Sequence, residues 1–112
     1  MVTPTAGEIV LVPFPFSDLS QSKLRPALVL CDVGRGDFVL AQITSKPYGD
    51  PDAILVNNAD LATGSLRFDS FVRPGKLFTA NTSLFVSVVA ELHPGKFGSI
   101  IDAVIDQFRP AT

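Results

Sequence analysis

Two cationic side chains precede an apolar run in the stretch SKLRPALVLCD, residues 22–32. Lys23 and Arg25 come just before a proline, and the run that follows has the composition of a buried strand. A second apolar stretch, DFVLAQIT, ends at Thr44 and is followed by Ser45. If the two stretches form an antiparallel hairpin, Arg25 and Thr44 meet at one rim of the sheet. A guanidinium fork beside hydroxyl donors is suited to binding a phosphodiester.

A third group of candidate residues lies in the stretch LRFDSFVR. If this stretch is a strand, side chains alternate between its faces, so Arg67 and Asp69 share one face and Arg73 lies further along it. These residues also have purely structural interpretations. An arginine at a strand end is commonly a solvated charge, Thr-Ser commonly caps a turn, and Arg67 and Asp69 can simply pair with each other.

Other kinds of catalytic site are poorly represented. The single histidine, His93, precedes a predicted helix, and the single cysteine, Cys31, lies in a predicted core strand, so no His–Cys nucleophile pair is expected. His, Cys and carboxylate residues show no metal-ligand spacing, and DVGRGD lacks the helix and lysine of a phosphate-binding loop. We therefore expect neither a metal site nor a cofactor.

Turn residues divide the chain into short extended segments. A polar loop is predicted over 15–24, a tight hairpin turn at DVGRGD, a longer connection over 57–65, and a proline–glycine turn at RPGK. The predicted strands between the turns are 7–14, 26–31, 37–44, 53–56, 66–72, 77–80 and 84–92.

The C-terminal segment has a helical period. Its apolar stripe consists of Phe97, Ile101, Val104, Ile105 and Phe108, and Pro94 suits the first turn. Short strands followed by one amphipathic helix indicate a strongly bent sheet or small barrel with the helix packed on it.

Composition limits the classes of protein to be considered. A chain of 112 residues, 46% hydrophobic and 18% charged, is expected to form one folded domain over 1–112. The net charge of −2 argues against a non-specific nucleic-acid binder, but cations concentrate in 19–49 and 63–79. No apolar run is long enough to span a membrane, no signal peptide is recognisable, and a lone buried thiol suits a reducing compartment. A cytoplasmic protein without membrane association is expected.

The chain resembles the PemK/MazF family of bacterial toxin–antitoxin systems. GEIVLVPFPFSDLSQSKLRPALVL is similar to the family's N-terminal signature: a Gly-Glu/Asp-Ile/Val strand, a polar loop and a basic-x-Arg-Pro-x-Leu-Val strand. AQITSKP resembles the family's second block and LRFDSFVRPGKLFT its third, and the predicted helix stands where the family has one. The resemblance covers almost the whole chain.

This resemblance implies an SH3-like barrel of the CcdB/PemK/MazF toxin type with a C-terminal helix, usually as a homodimer. It also implies a metal-independent, sequence-specific endoribonuclease that cleaves single-stranded mRNA, arrests growth and is neutralised by a cognate antitoxin. Arg25 matches the family's catalytic arginine, Thr44 its catalytic threonine, and Asp69 a position that assists cleavage or RNA binding in relatives. The residues expected to bind substrate are Lys23, Ser45, Arg67 and Ser70.

The implied reaction agrees with these residue types. RNA carries its own nucleophile, the 2′-OH, whose attack on the adjacent phosphate gives a 2′,3′-cyclic phosphate and a free 5′-OH. Arg25 and Thr44 suit stabilisation of the phosphorane. Asp69 is the best base by residue type, because arginine stays protonated at neutral pH.

Two other functions stay open. The related CcdB toxins share this barrel and poison gyrase through protein contacts near the C-terminus, without needing a rim arginine. An inert barrel would serve only as a binding module. The loop SDLSQSK also departs from the glutamate- or histidine-containing loops of many relatives, so the RNA sequence that would be cleaved is not predicted.

Overall fold

The computed structural model describes residues 3–15, 22–47 and 49–109. One helix, α1 (Pro94–Gln107), ends the described chain, and short 3₁₀ turns occupy Asn58–Asp60 and Thr82–Leu84. The strands that precede the helix are β1 (Glu8–Pro15), β2 (Ser22–Gly34), β3 (Asp37–Thr44), β4 (Ile54–Val56), β5 (Leu61–Gly64), β6 (Ser70–Asn81) and β7 (Ser87–Leu92).

All these strands belong to one antiparallel sheet in the order β4-β6-β3-β2-β1-β7-β5. The sheet curls into a half-barrel, and α1 lies against β6. The prediction of a mainly β fold with a bent sheet and a C-terminal helix is therefore confirmed. Within the described residues, no helix has the length and apolar character needed to cross a membrane.

Apolar side chains cover both faces of the central strands. Ile9 packs into one core cluster with Ile43 and the helix residue Ile100, whereas its neighbour Val10 packs into a second cluster with Phe38. This alternation is the period-two pattern of a strand with two buried faces. The sheet therefore has an apolar core on each side of its centre, so a functional site is to be sought at the ends of its strands.

The predicted hairpin over 26–44 is present, and β3 has the predicted bounds. Its turn uses Arg35 and Gly36, both with positive φ, as the common two-residue hairpin turn requires. β2 is longer than predicted at both ends, because Ser22–Leu24 of the predicted polar loop pair with β1, and Asp32 and Gly34 of the predicted turn pair with β3. The rest of that loop, residues 16–21, lies outside the described residues.

The predicted burial of Cys31 is wrong, since its side chain is exposed. The pairing of β2 with β3 shifts register between Val29 and Cys31, and Leu30 is the last buried residue of β2. The apolar run that suggested burial therefore ends one residue before the cysteine.

Two predictions around β6 are also wrong. RPGK is not a chain-reversing turn, because Arg73–Lys76 lie inside β6, where Pro74 is fully buried. Ala41 pairs with Leu77 and Ile43 pairs with Val72, so β6 has more residues than β3 between these two pairs. The extra residues of β6 form an irregularity in the pairing, and proline is tolerated at such positions. The predicted strand over 66–72 begins only at Ser70.

The connection predicted over 57–65 contains an additional strand, β5, which pairs with β7. The predicted helix is present, but its buried stripe is rotated from the predicted one. Ile100 and Val104 are the buried helix residues, whereas Ile105 and Phe108 are 41% and 72% exposed. Phe97 and Ile101 pack against the core beside them, so the buried side of α1 is formed by positions 97, 100, 101 and 104.

Candidate functional site

Arg25 and Thr44 lie at the same end of the central hairpin. β2 and β3 pair Ala27 with Gln42, and the same register continued by two residues aligns Arg25 with Thr44. Arg25 is also held opposite Val12 of β1. The rim position predicted from the sequence thus follows from strand pairing on both sides of the hairpin.

Both residues line a cleft of about 520 Å³ at this end of the sheet. The predicted site residues that line it are Lys23, Arg25, Thr44, Ser45, Arg67 and Ser70. Strand pairing accounts for much of this convergence, because Thr44 pairs with Phe71 at the start of β6. The beginning of β6 therefore lies beside the end of β3, and the segment before β6 reaches the same cleft.

The segment 65–69 carries Arg67 into the cleft without forming a strand. Its backbone is held by side chains: the Leu66 N–H donates to Asn58 Oδ1 at 2.8 Å, and Ser70 Oγ donates to the Phe68 carbonyl at 3.0 Å. The period-two alternation expected for Arg67, Asp69 and Arg73 therefore does not apply. Ser70 lines the cleft but is buried, and its proton is engaged inside the protein.

The Thr44 hydroxyl is positioned by the chain that follows it. The Lys46 N–H donates to Thr44 Oγ1 at 3.1 Å, and Oγ1 is 3.4 Å from the Lys46 carbonyl, to which it donates. The second distance exceeds the usual 2.5–3.0 Å of an O–H···O hydrogen bond. The hydroxyl proton is therefore only weakly held and can be donated to a ligand in the cleft.

The charged residues described in the lining of the cleft are all cationic. Lys23, Arg25 and Arg67 line it, and among the described lining residues there is no aspartate or glutamate. Asp69 is exposed and is not among the residues that line the cleft, although both of its neighbours are. Such an arrangement favours an anionic ligand, with two hydroxyl residues, Thr44 and Ser45, on the same wall.

Arg73 does not belong to this cleft, contrary to the expectation that it follows Arg67 along one face. Its Nε donates to Asp50 Oδ2 at 2.7 Å, and its Nη1 donates to Gln42 Oε1 at 3.3 Å. The hydrogen bond from Arg73, supported by a second from the Asp52 N–H, holds the pKa of Asp50 below its usual value of 3.8. This pair fixes the loop before β4 onto β6.

The remaining candidate groups lie elsewhere. His93 is exposed at the start of α1, and Cys31 is exposed on the hairpin. In the described ranges, no group of three or more His, Cys, Asp or Glu side chains is arranged to hold a metal ion.

The apolar part of the cleft was not predicted from the sequence. Phe68, which is 63% exposed, lines it together with Leu24 and Leu66. The predicted strand over 66–72 would have turned Phe68 away from Arg67. The Thr-Gly-Ser sequence at 63–65 could have corrected this strand prediction, because it suggests a chain bend just before the segment.

The chain matches a family model described as "PemK-like, MazF-like toxin of type II toxin-antitoxin system" over residues 5–108. No curated protein matches it in sequence. The match covers all of the strands described above and the helix.

Solved structures share the fold at low sequence identity. A MazE-MazF complex (Form-II) from Deinococcus radiodurans is 19% identical with a TM-score of 0.74, covering 96% of this chain and 97% of that one. An endoribonuclease in complex with its cognate antitoxin from a Mycobacterial species is 16% identical with a TM-score of 0.70, covering 100% of both. The Mycobacterium tuberculosis toxin MazF-mt6 is 16% identical with a TM-score of 0.65, covering 88% and 95%. At these identities the comparison establishes the fold.

Proposed function

Because the chain belongs to the PemK-like, MazF-like toxins of type II toxin–antitoxin systems, we propose that it is a metal-independent, sequence-specific endoribonuclease that cleaves single-stranded mRNA. The main support is that Arg25 and Thr44 line one cleft. Two further cations, Lys23 and Arg67, line it as well, and no described lining residue carries a negative charge. The structural relative from a Mycobacterial species is described as an endoribonuclease, which supports the same reaction.

The proposed reaction uses the substrate's own 2′-OH as nucleophile. The 2′ oxygen forms a bond to the adjacent phosphorus, the bond from phosphorus to the 5′ oxygen breaks, and a 2′,3′-cyclic phosphate and a 5′-OH result. The negative charge on the phosphorane oxygens is greatest in the transition state. Arg25 donates two hydrogen bonds to these oxygens, and Thr44 donates a third after releasing its long contact to the Lys46 carbonyl.

Two proton transfers complete the proposed reaction. A base accepts the 2′-OH proton, and an acid protonates the departing 5′ oxygen. Asp69 is the proposed base by residue type, because arginine stays protonated at neutral pH. Its carboxylate does not line the cleft, although Phe68 and Ser70 on either side of it do, so the proposal requires the Asp69 side chain to turn toward the bound RNA. Lys23, Ser45 and Arg67 bind flanking phosphates, whereas Ser70 supports the wall through its bond to the Phe68 carbonyl.

A cognate antitoxin is the proposed partner, and a homodimer in the cytoplasm is the proposed working form. An acidic or amphipathic peptide laid over Lys23, Arg25 and Arg67 would occupy the cations that RNA needs. The MazE-MazF structure and the endoribonuclease–antitoxin structure share this fold, which supports such a partner.

Purified protein and a long single-stranded RNA test the proposal, with a metal chelator present throughout. The expected result is cleavage at a recurrent short sequence, leaving 2′,3′-cyclic phosphate and 5′-OH ends. Arg25→Ala should lower the rate by about 10²–10³-fold, the usual effect of removing one transition-state donor. Arg109→Ala, which removes an exposed arginine at the end of the helix, is the matched control and should cleave normally.

Three outcomes would overturn the proposal. One is a wild-type protein that cleaves no RNA, which would favour an inert binding module. Another is intact cellular RNA with double-strand DNA breaks after induction, which would favour gyrase poisoning. The third is an Arg25→Ala variant that retains the activity and toxicity of the wild type.

A further inference from the structure

Phe68 is a large apolar side chain that stays 63% exposed although it lines the cleft. Burial is the usual outcome for a phenylalanine in a domain with two core clusters, because removing its apolar surface from water stabilises the fold. The exposed ring is not taken up by either core cluster. It is therefore available to a ligand in the cleft.

The backbone that carries Phe68 is held at both ends. The Leu66 N–H is bound to Asn58 Oδ1, and the Phe68 carbonyl accepts the hydrogen bond of Ser70 Oγ. Immediately before the segment, Gly64 packs directly on the β7 backbone. Because the backbone is fixed before a ligand arrives, little ordering entropy is lost when the ring makes a contact.

A planar cation accompanies the ring. The guanidinium carbon of Arg67 lies 5.5 Å from the centroid of the Phe68 ring. Aromatic rings and guanidinium planes are the two side-chain surfaces on which proteins stack unpaired bases. Arg67 and Phe68 thus combine a charge for the RNA backbone with a flat surface for a base.

The cleft is also larger and more apolar than a phosphate alone requires. Its volume of about 520 Å³ falls within the range typical of small-molecule sites. Leu11, Leu24 and Val89 line it in addition to the cations. One wall therefore suits a phosphate, and the remainder suits the flat, weakly polar body of a base.

We infer that Phe68 stacks on a nucleobase next to the phosphate bound by Arg25, so that this residue helps determine which nucleotides the cleft accepts. The inference rests on the proposed RNA-cleaving function and assigns the substrate class of its site: single-stranded RNA with a base turned out of the stack. Base-paired RNA cannot offer such a base without unpairing.

The test measures binding of a short single-stranded RNA that carries the mapped cleavage site. A 2′-deoxy nucleotide replaces the one whose 2′-OH attacks, so the RNA binds without being cut. Phe68→Ala should weaken binding by about 5- to 150-fold, the range for loss of one stacked base. Phe68→Trp should restore it, and Phe108→Ala, which removes an exposed phenylalanine elsewhere, should leave it unchanged.

An abasic nucleotide, placed in turn at each position beside the scissile phosphate, identifies the base concerned. At one position the abasic RNA should bind the wild type as weakly as intact RNA binds Phe68→Ala. Combining the two changes should weaken binding no further, because each removes one partner of the same contact.

The results separate this inference from the function on which it rests. A wild type that cleaves no RNA overturns both. If the wild type cleaves RNA, two results overturn the stacking role alone. One is a Phe68→Ala variant that binds RNA as tightly as the wild type, and the other is additive losses of binding at every abasic position. Urea unfolding of Phe68→Ala checks that the exposed substitution leaves the fold intact.

Discussion

Gly64 should be the glycine least able to accept a side chain, because it lies directly against β7. It has a φ of +78° at the end of β5. A Cβ at this position would lie 2.1 Å from the Val89 carbonyl oxygen and 2.6 Å from Ala90 Cα. Both atoms belong to the backbone of a paired strand, so neither can rotate away.

The expected effect of Gly64→Ala has two parts. A left-handed backbone costs a residue with a Cβ roughly 1–2 kcal/mol. The collision adds a second part, because carbon–oxygen contacts between strands are normally no shorter than about 3.3 Å, so β5 and β7 must separate by roughly 1 Å. Forcing extra atoms into a packed site costs about 1–3 kcal/mol, which makes the total about 2–5 kcal/mol.

Gly34→Ala is the matched control, because Gly34 has a φ of +97° but no atom within 4 Å of the added Cβ. Gly34→Ala should lower the free energy of unfolding by the backbone contribution alone, roughly 1–2 kcal/mol. Urea unfolding at one fixed protein concentration measures both losses in the free energy of unfolding. A Gly64→Ala variant as stable as Gly34→Ala would refute the close approach of β5 to β7.

Three further predictions concern stability and exposure. Asp50→Asn should lower the free energy of unfolding at neutral pH. Because the pKa of Asp50 in the folded protein lies below 3.8, the stability advantage of the wild type should disappear as the pH falls through that pKa, and unfolding measured across the acid range checks this. Gly98→Ala should raise the free energy of unfolding by about 0.5–1 kcal/mol, because Gly98 is an exposed helix residue with open space around its Cβ position. The exposed Cys31 thiol should react with a water-soluble thiol reagent in the folded protein as fast as in urea.

Each of these predictions has a result that contradicts it. An Asp50→Asn deficit that persists unchanged at low pH would mean that the Arg73 hydrogen bond does not stabilise the charged form. A destabilised Gly98→Ala variant would indicate an unexpected contact at that face of α1. Protection of Cys31 until unfolding would place the hairpin end inside an interface.

The central hairpin could be predicted because its determinants are local. Apolar runs on both sides of a Gly-Arg-Gly turn specify two paired strands, and pairing alone aligns Arg25 with Thr44. The helix could be located for the same reason, from its period and from Pro94. Which helix face is buried is decided by how α1 packs on the sheet, so Ile100 rather than Ile105 lies in the core.

The wall of the cleft that carries Arg67 and Phe68 could not be predicted from local pattern. Its backbone is held by the side chains of Asn58 and Ser70, and its start is fixed by the contact of Gly64 with β7. The contacts of Leu66 with Asn58 and of Gly64 with β7 join separate elements, and together with the local Ser70 hydrogen bond they override the alternation that suggested a strand. Likewise, the proline and glycine of RPGK signal a break, but only the pairing with β3 decides between a turn and an irregular strand.

Single-turnover cleavage by Arg25→Ala, Thr44→Val and the double variant tests most directly whether residues 25 and 44 act on one phosphate. Each single change should slow cleavage, Arg25→Ala by about 10²–10³-fold. The double variant should cleave much faster than the product of the two losses predicts, because the effects of groups that act as a unit are non-additive. Thr44→Val keeps the branched shape and removes only the hydroxyl. Losses that multiply fully, or either single variant cleaving at the wild-type rate, would contradict a shared phosphate site.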